Sequence, residues 1–220
     1  RDPLDLMISR SNQKQEEVKM QTGRDFFLNE EQQLAVQTIL KEWDQKDKSV
    51  YLLHGVTGSG KTEVYMELID FVRKQSKQAI FLIPEIALTY QMVLRFYQRF
   101  GSRVSILHSR MSAGERYDQY EKAKNGEIDI MIGPRSALFT PFSNLGIIII
   151  DEEHEESYKS ETVPRYHARE TAQRRAEMEG AKLILGSAPP SVESYCRTAR
   201  KSARLNSSLV SSSYAVFCLK

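Results

Sequence analysis

The sequence predicts a three-layer α/β domain on a mainly parallel sheet, and three observations carry that expectation. Short apolar or β-branched runs alternate with stretches whose apolar residues recur three or four positions apart, the two periods of strand and helix. The purest of the runs, Ile147 to Ile150, shows no polar alternation, as expected of a strand covered on both faces. A glycine-rich turn, Gly55 to Thr62, stands between one such run and one such helical stretch. Strands alternating with helices imply parallel pairing through right-handed crossovers.

Taken in order, residues 1–27 are polar and aperiodic, broken by Asp2-Pro3 and Thr22-Gly23, and read as a linker or the end of an upstream domain. Val36, Ile39, Leu40 and Trp43 mark one face of a first helix, and Val50 to His54 a buried strand. Tyr65, Leu68, Ile69 and Val72 give the face of the next helix, and Ala79 to Ile83 a strand stopped by Pro84. Tyr90, Val93, Leu94 and Tyr97 repeat the helical spacing before a strand at Val104 to Leu107. Ser112 with Glu115 is a capping-box pattern opening a helix to about Asn125. Strands follow at Ile128 to Ile132 and Ile147 to Ile150, then a helix at Ala168 to Glu179 and a strand at Lys182 to Leu185. The principal domain is therefore expected over 28–197. Beyond about Thr198 the pattern collapses, and 198–220 reads as an irregular serine-rich and basic tail.

Bulk composition narrows the function classes. In 220 residues, 31 Lys and Arg face 29 Asp and Glu; a net charge of +2 points to no polyanion partner, so any nucleic-acid contact must come from local patches. The two cysteines, Cys196 and Cys218, form no C-x-x-C pair, so neither a zinc site nor a disulfide framework is expected. No run approaches a membrane span and the N-terminus lacks a signal-peptide pattern, which makes a cytoplasmic protein without membrane partners the expectation.

Gly55-Val56-Thr57-Gly58-Ser59-Gly60-Lys61-Thr62 matches the phosphate-loop pattern G-x-x-x-x-G-K-[ST] in full, between a strand and a helix. Its glycines let backbone N–H groups turn inward around phosphate oxygens, and the following helix N-terminus adds partial positive charge. Lys61 is expected to reach the β- and γ-phosphates of ATP, and the Thr62 hydroxyl to bind Mg²⁺. The isoleucine strand ends in Asp151-Glu152-Glu153-His154, at the carboxyl end where α/β sheets bind ligands. Asp151 is expected to hold Mg²⁺ through its water shell, and Glu152 to polarise an attacking water.

Asp-Glu-x-His after an apolar strand resembles motif II of superfamily 2 helicases, and further segments resemble the PriA family of replication-restart helicases within it. Those segments are Leu28 to Gln32, Pro84-Glu85-Ile86-Ala87-Leu88-Thr89, Gly133 to Phe139, Tyr158-Lys159, Pro164-Arg165-Tyr166-His167-Ala168-Arg169, and Gly186-Ser187-Ala188-Pro189-Pro190-Ser191. The resemblance spans about Leu28 to Tyr195. It implies a RecA-like ATP-binding lobe, the first of two, with Gln32 reading adenine unless it serves as a solvated helix cap. Thr89, Arg135 and Ser136 would contact DNA, although Arg135 and Ser136 also fit a turn with a solvated arginine. Tyr158, Tyr166 and His167 would stack on bases, with Lys159, Arg165 and Arg169 at phosphates; the alternative is that Tyr166 and His167 pack beneath their loop. His154 and Ser187 would couple the ATP site to movement.

The resemblance further implies 3′→5′ unwinding of DNA at stalled forks, with single-stranded and forked DNA, primosome proteins and single-strand-binding protein as partners. Rival readings are another superfamily 2 translocase and a non-catalytic nucleotide- or DNA-binding fragment. Pro189 departs from the usual threonine of that segment and removes both a hydroxyl and an N–H, so coupling through it would be rerouted. Neither a second lobe nor the family's zinc-binding segment is recognisable, residues 1–27 would be a remnant of a DNA-binding domain, and the tail suggests a truncated or frame-shifted product.

Overall fold

The computed structural model describes residues 28–45, 50–56, 58–187 and 214–219, with side chains in the last segment described only at Leu219. Seven parallel strands form one sheet in the order β3-β4-β2-β5-β6-β1-β7. They are β1 (Val50–Gly55), β2 (Gln78–Leu82), β3 (Val104–Ile106), β4 (Ile130–Gly133), β5 (Leu145–Ile150), β6 (Lys182–Ser187) and β7 (Tyr214–Leu219). The helices between them are α1 (Glu30–Lys41), α2 (Lys61–Lys74), α3 (Tyr90–Phe100), α4 (Ala113–Lys124) and α5 (Ala168–Glu179). No helix among the described residues is long and apolar enough to cross a membrane.

Alternation along the strands sends successive side chains to opposite faces, and two cores result. Tyr51, Leu53, Phe81, Ile147 and Ile149 pack against α1, α2 and α3. Val50, Leu52, Ile80, Ile148 and Ile150 pack against the small-residue face of α5, Ala168, Ala172 and Ala176, and against Ala123 of α4. The uniform isoleucine run follows from this: Ile147, Ile148, Ile149 and Ile150 are all fully buried, alternately in one core and the other.

Helix starts are chemically marked. Asn29 caps α1, accepting from the Gln32 N–H at 2.8 Å while the Gln32 side chain accepts from the Asn29 N–H at 2.9 Å. Ser112 and Glu115 form the same reciprocal box at α4. The α2 face is the expected one, with Tyr65, Leu68, Ile69 and Val72 all fully enclosed.

Two expectations are corrected. In α3 the buried residues are Val93, Phe96 and Phe100; of the expected stripe only Val93 is among them, while Tyr90, Leu94 and Tyr97 are half-buried. The helix turns to stack Phe96 on Phe81, with ring centroids 5.3 Å apart, and aromatic area outweighs the alternative stripe. The tail is not wholly irregular either. Tyr214–Leu219 pairs in parallel with the open edge of β1, from Val50↔Tyr214 to Gly55↔Leu219, and Leu219 is buried. Its β-favouring residues follow a serine-rich segment with no helical period to flag them. Residues 1–27 lie outside the described residues.

Phe81 sits between the Tyr65 and Phe96 rings and has no exposed surface. Phe81→Ala should lower unfolding free energy by about 3–5 kcal/mol in urea titration, through lost burial plus a cavity.

Candidate functional site

The turn between β1 and α2 carries two glycines in the left-handed region, Gly58 at φ +87° and Gly60 at φ +80°. Gly60 is favoured by that φ, and a Cβ there would also displace the Gln32 side-chain nitrogen, 2.1 Å away. That nitrogen donates to the Ser59 carbonyl at 2.9 Å, so Gln32 braces the turn from α1. The Lys61 ammonium is buried and donates across the turn to the Gly55 carbonyl at 2.8 Å. Val56 is exposed, and Thr57 lies outside the described residues.

Beside the turn is a cavity of about 450 Å³ whose lining includes Gln32, Ser59, Lys61, Thr62, Asp151 and Glu152. Its chemistry fits a polyphosphate with a hard cation. The Ser59 hydroxyl is buried without a hydrogen-bond partner among the described residues, a lysine is enclosed, and a threonine and two carboxylates line the same cavity.

Asp151 follows β5, with its N–H donating to the Leu82 carbonyl at 2.9 Å. The Tyr65 hydroxyl donates to Asp151 Oδ1 at 2.9 Å, and the Tyr158 hydroxyl to the Asp151 carbonyl at 2.6 Å. Burial, then the neighbouring Glu152 charge, raises the Asp151 carboxyl above its ordinary range, while Tyr65 and Lys61 oppose that rise. Burial, then the Asp151 charge, likewise pushes the Tyr65 and Tyr158 phenols up, so both remain protonated donors.

Glu152 has φ +47°, a backbone state that strains a non-glycine residue and gathers at functional sites. The turn brings Glu152 Oε1 to 3.6 Å from Lys61 Nζ and Oε2 to 3.7 Å from His154 Nδ1. His154 Nδ1 also lies 3.3 Å from the hydroxyl of Ser187, which is fully buried at the end of β6. Residues 188–191, with Pro189, lie outside the described residues.

The structure removes two residues from the expected DNA-facing set. Tyr158 is 1% exposed, its ring in the core and its hydroxyl committed to Asp151, so it cannot stack on a base. Arg169 is 7% exposed and paired with buried Glu153 at 3.2 Å, so it does not reach a phosphate. Residues 157–167 close on themselves through a Lys159↔His167 bridge and a bond from the Ser160 N–H to the Tyr166 carbonyl. Lys159 and Arg165 are exposed; Tyr166 and His167 are half-buried. His167 also caps α5, accepting from the Arg169 N–H at 3.2 Å.

The remaining expected contacts have structural duties. Arg135 donates to the carbonyls of Ser157 and Lys159, at 3.0 and 2.5 Å, and so holds the 157–167 loop. The half-buried Ser136 accepts from Tyr120 through its carbonyl, and the Thr89 hydroxyl caps α3 by accepting from the Met92 N–H. The exposed Phe139 ring meets Tyr166 edge-on at 5.2 Å.

Sequence reasoning assigned no role to Tyr65 or Glu153. Tyr65 reads as one more apolar position on α2, though a tyrosine on a fully buried face needs a partner for its hydroxyl. Glu153 reads as a filler between Glu152 and His154, yet it is 2% exposed and its N–H donates to the Gly186 carbonyl.

The family described as Type III restriction enzyme, res subunit, matches residues 25–191. The chain is 54% identical to replication restart protein PriA of Bacillus subtilis (strain 168) over 170 residues, 77% of this chain and 21% of that protein. It is 48% identical over 180 residues to PriA of Chlamydia trachomatis serovar D, 81% of this chain and 24% of that protein. The chain therefore spans between a fifth and a quarter of these curated relatives. Among solved structures it resembles RecG bound to a three-way DNA junction, with a TM-score of 0.58 and 24% identity over 84% of this chain and 24% of that one. It also resembles the DUF1998 helicase MrfA bound to DNA, with a TM-score of 0.58 and 18% identity over 90% of this chain and 26% of that one. Both likenesses concern the RecA-like fold.

Removing one partner of a buried ion pair leaves an uncompensated charge. Arg169→Ala should therefore destabilise the chain by about 3–5 kcal/mol in chemical denaturation, while exposed Arg165→Ala should leave stability nearly unchanged.

Proposed function

On the premise that this chain belongs to the family described as Type III restriction enzyme, res subunit, in its PriA-like form, we propose that it is the ATP-binding motor lobe of a DNA helicase acting in replication restart. The observation that carries the reading is the convergence of Lys61, Thr62, Asp151 and Glu152 on one cavity, from the starts of α2 and the end of β5. Lys61 neutralises the β- and γ-phosphates of ATP, Thr62 and Asp151 hold the hydrated cation, and Glu152 orients the attacking water and accepts its proton. Bound Mg²⁺ supplies charge neutralisation between the phosphates. Gln32 steadies the loop and, with the rest of α1's start, borders the adenine end of the cavity.

DNA contact on this reading falls to the loops at the carboxyl ends of β2, β4 and β5. Lys159 and Arg165 meet phosphates, Tyr166 and His167 offer ring faces, and Phe139 extends that aromatic edge. Thr89, Arg135 and Ser136 shape these loops. Single-stranded and forked DNA are the proposed substrates, 3′→5′ the direction, and primosome and single-strand-binding proteins the partners in the cytoplasm. The PriA-type relatives support that assignment, and the titles of the RecG and MrfA structures name DNA as bound. His154 and Ser187 relay the state of the ATP site to β6 and the segment after it.

Two measurements test the reading. Lys61→Ala should weaken ADP and ATP binding by calorimetry at least tenfold, and unchanged affinity would remove the site from consideration. Assayed alone, these 220 residues should turn ATP over near background and separate no forked duplex, because an arginine supplied from a facing lobe is worth about 10³–10⁵ in rate. Robust turnover stimulated by single-stranded DNA would contradict that division of labour.

A further inference from the structure

We propose that Tyr65 is a positioning residue for the cation-binding carboxylate of Asp151, and that Gly186 of β6 is the gap that admits its hydroxyl; the assignment rests on the nucleotide-site reading above. Tyr65 lies three residues beyond Thr62 on α2, and so on the same side of that helix. Its ring has no exposed surface and packs 5.6 Å from Phe81. The hydroxyl emerges from the core and donates to Asp151 Oδ1 at 2.9 Å.

Space for that bond exists only because position 186 lacks a side chain. A Cβ at Gly186 would lie 1.7 Å from the Tyr65 hydroxyl and 2.9 Å from Asp151 Oδ1. The Gly186 carbonyl accepts from the Glu153 N–H at 2.8 Å, a bond that any shift of β6 to make room would have to break. Tyr158 holds the Asp151 main chain from its other side. With its backbone and one oxygen both held, the Asp151 carboxylate meets the cavity in one orientation. A hydrated cation there would meet a preset acceptor for its water shell rather than a rotating one, the service of a group that hydrogen-bonds a metal-site carboxylate.

The test is ADP binding by calorimetry, with excess Mg²⁺ and with EDTA, to the wild-type chain, Tyr65→Phe, Asp151→Asn and the double variant. Loss of the hydroxyl should reduce the Mg²⁺-dependent gain in affinity about tenfold or more, with affinity in EDTA within about twofold of wild type. In the Asp151→Asn background, Tyr65→Phe should have no further effect on that gain. A Tyr65→Phe chain that keeps the full gain overturns the assignment, and so does one whose affinity falls equally in EDTA, which would make Tyr65 a packing residue. Failure of the wild-type chain to bind ADP in either condition would instead overturn the nucleotide-site reading, and this proposal with it.

Discussion

A carboxylate half-buried at the end of a central strand is unfavourable unless the surrounding structure compensates it, and the site around Asp151 is built from that compensation. Burial alone drives the group toward its neutral form. Against this stand a phenol from α2, the nearby ammonium of Lys61, and a main chain clamped by Leu82 and Tyr158. The compensating groups come from α2, which carries both Tyr65 and Lys61, from β2 and from the loop after β5, so these elements must be in register with β5 before the carboxylate is tolerable. The same requirement explains small features elsewhere, such as the absence of a side chain at Gly186 and the enclosure of Tyr65 beside Phe81.

Much of this fold was legible because its signals are local. The phosphate loop is one contiguous segment, capping boxes join residues three apart, and β5 declares itself by four isoleucines. What escaped depends on contacts distant in sequence. Choosing the Phe96 face of α3 over the Tyr97 face needs knowledge that Phe81 lies across the layer. Recognising β7 needs the open edge of β1. The roles of Tyr158 and Arg169 turned on burial: an aromatic and a cation in a loop suggest nucleic acid, and only the fold reveals that each is occupied on the protein side. Position thus outranked residue type, and of the expected loop residues only Lys159 and Arg165 are exposed, with Tyr166 and His167 half-buried.

The loop after β5 is nonetheless not independent of the proposed nucleotide site. Arg135, just after β4, grips it at Ser157 and Lys159, while Arg169, at its exit, is joined to Glu153. Glu153 in turn holds the Gly186 carbonyl one residue before Ser187. A displacement of the loop by a bound strand would therefore load Arg169, Glu153 and β6 together, within a few residues of the proposed water-orienting Glu152. Rigid packing of this kind transmits small shifts better than a solvated loop would, since close-packed interiors do not deform continuously.

The strained residue at the centre of this arrangement now has a physical reason. Three consecutive acids serve three different neighbours: Asp151 faces Tyr65, Glu152 faces Lys61 and His154, and Glu153 faces Arg169. An extended backbone would alternate them between two directions only, and a helical one would spread them around a cylinder pointing away from the sheet. A single left-handed residue at Glu152 breaks the β5 direction at once and lets all three diverge within one turn. Glycine would adopt that conformation at lower cost, but it would surrender the carboxylate that faces Lys61. The strain therefore follows from needing an acid and a sharp reversal at the same position.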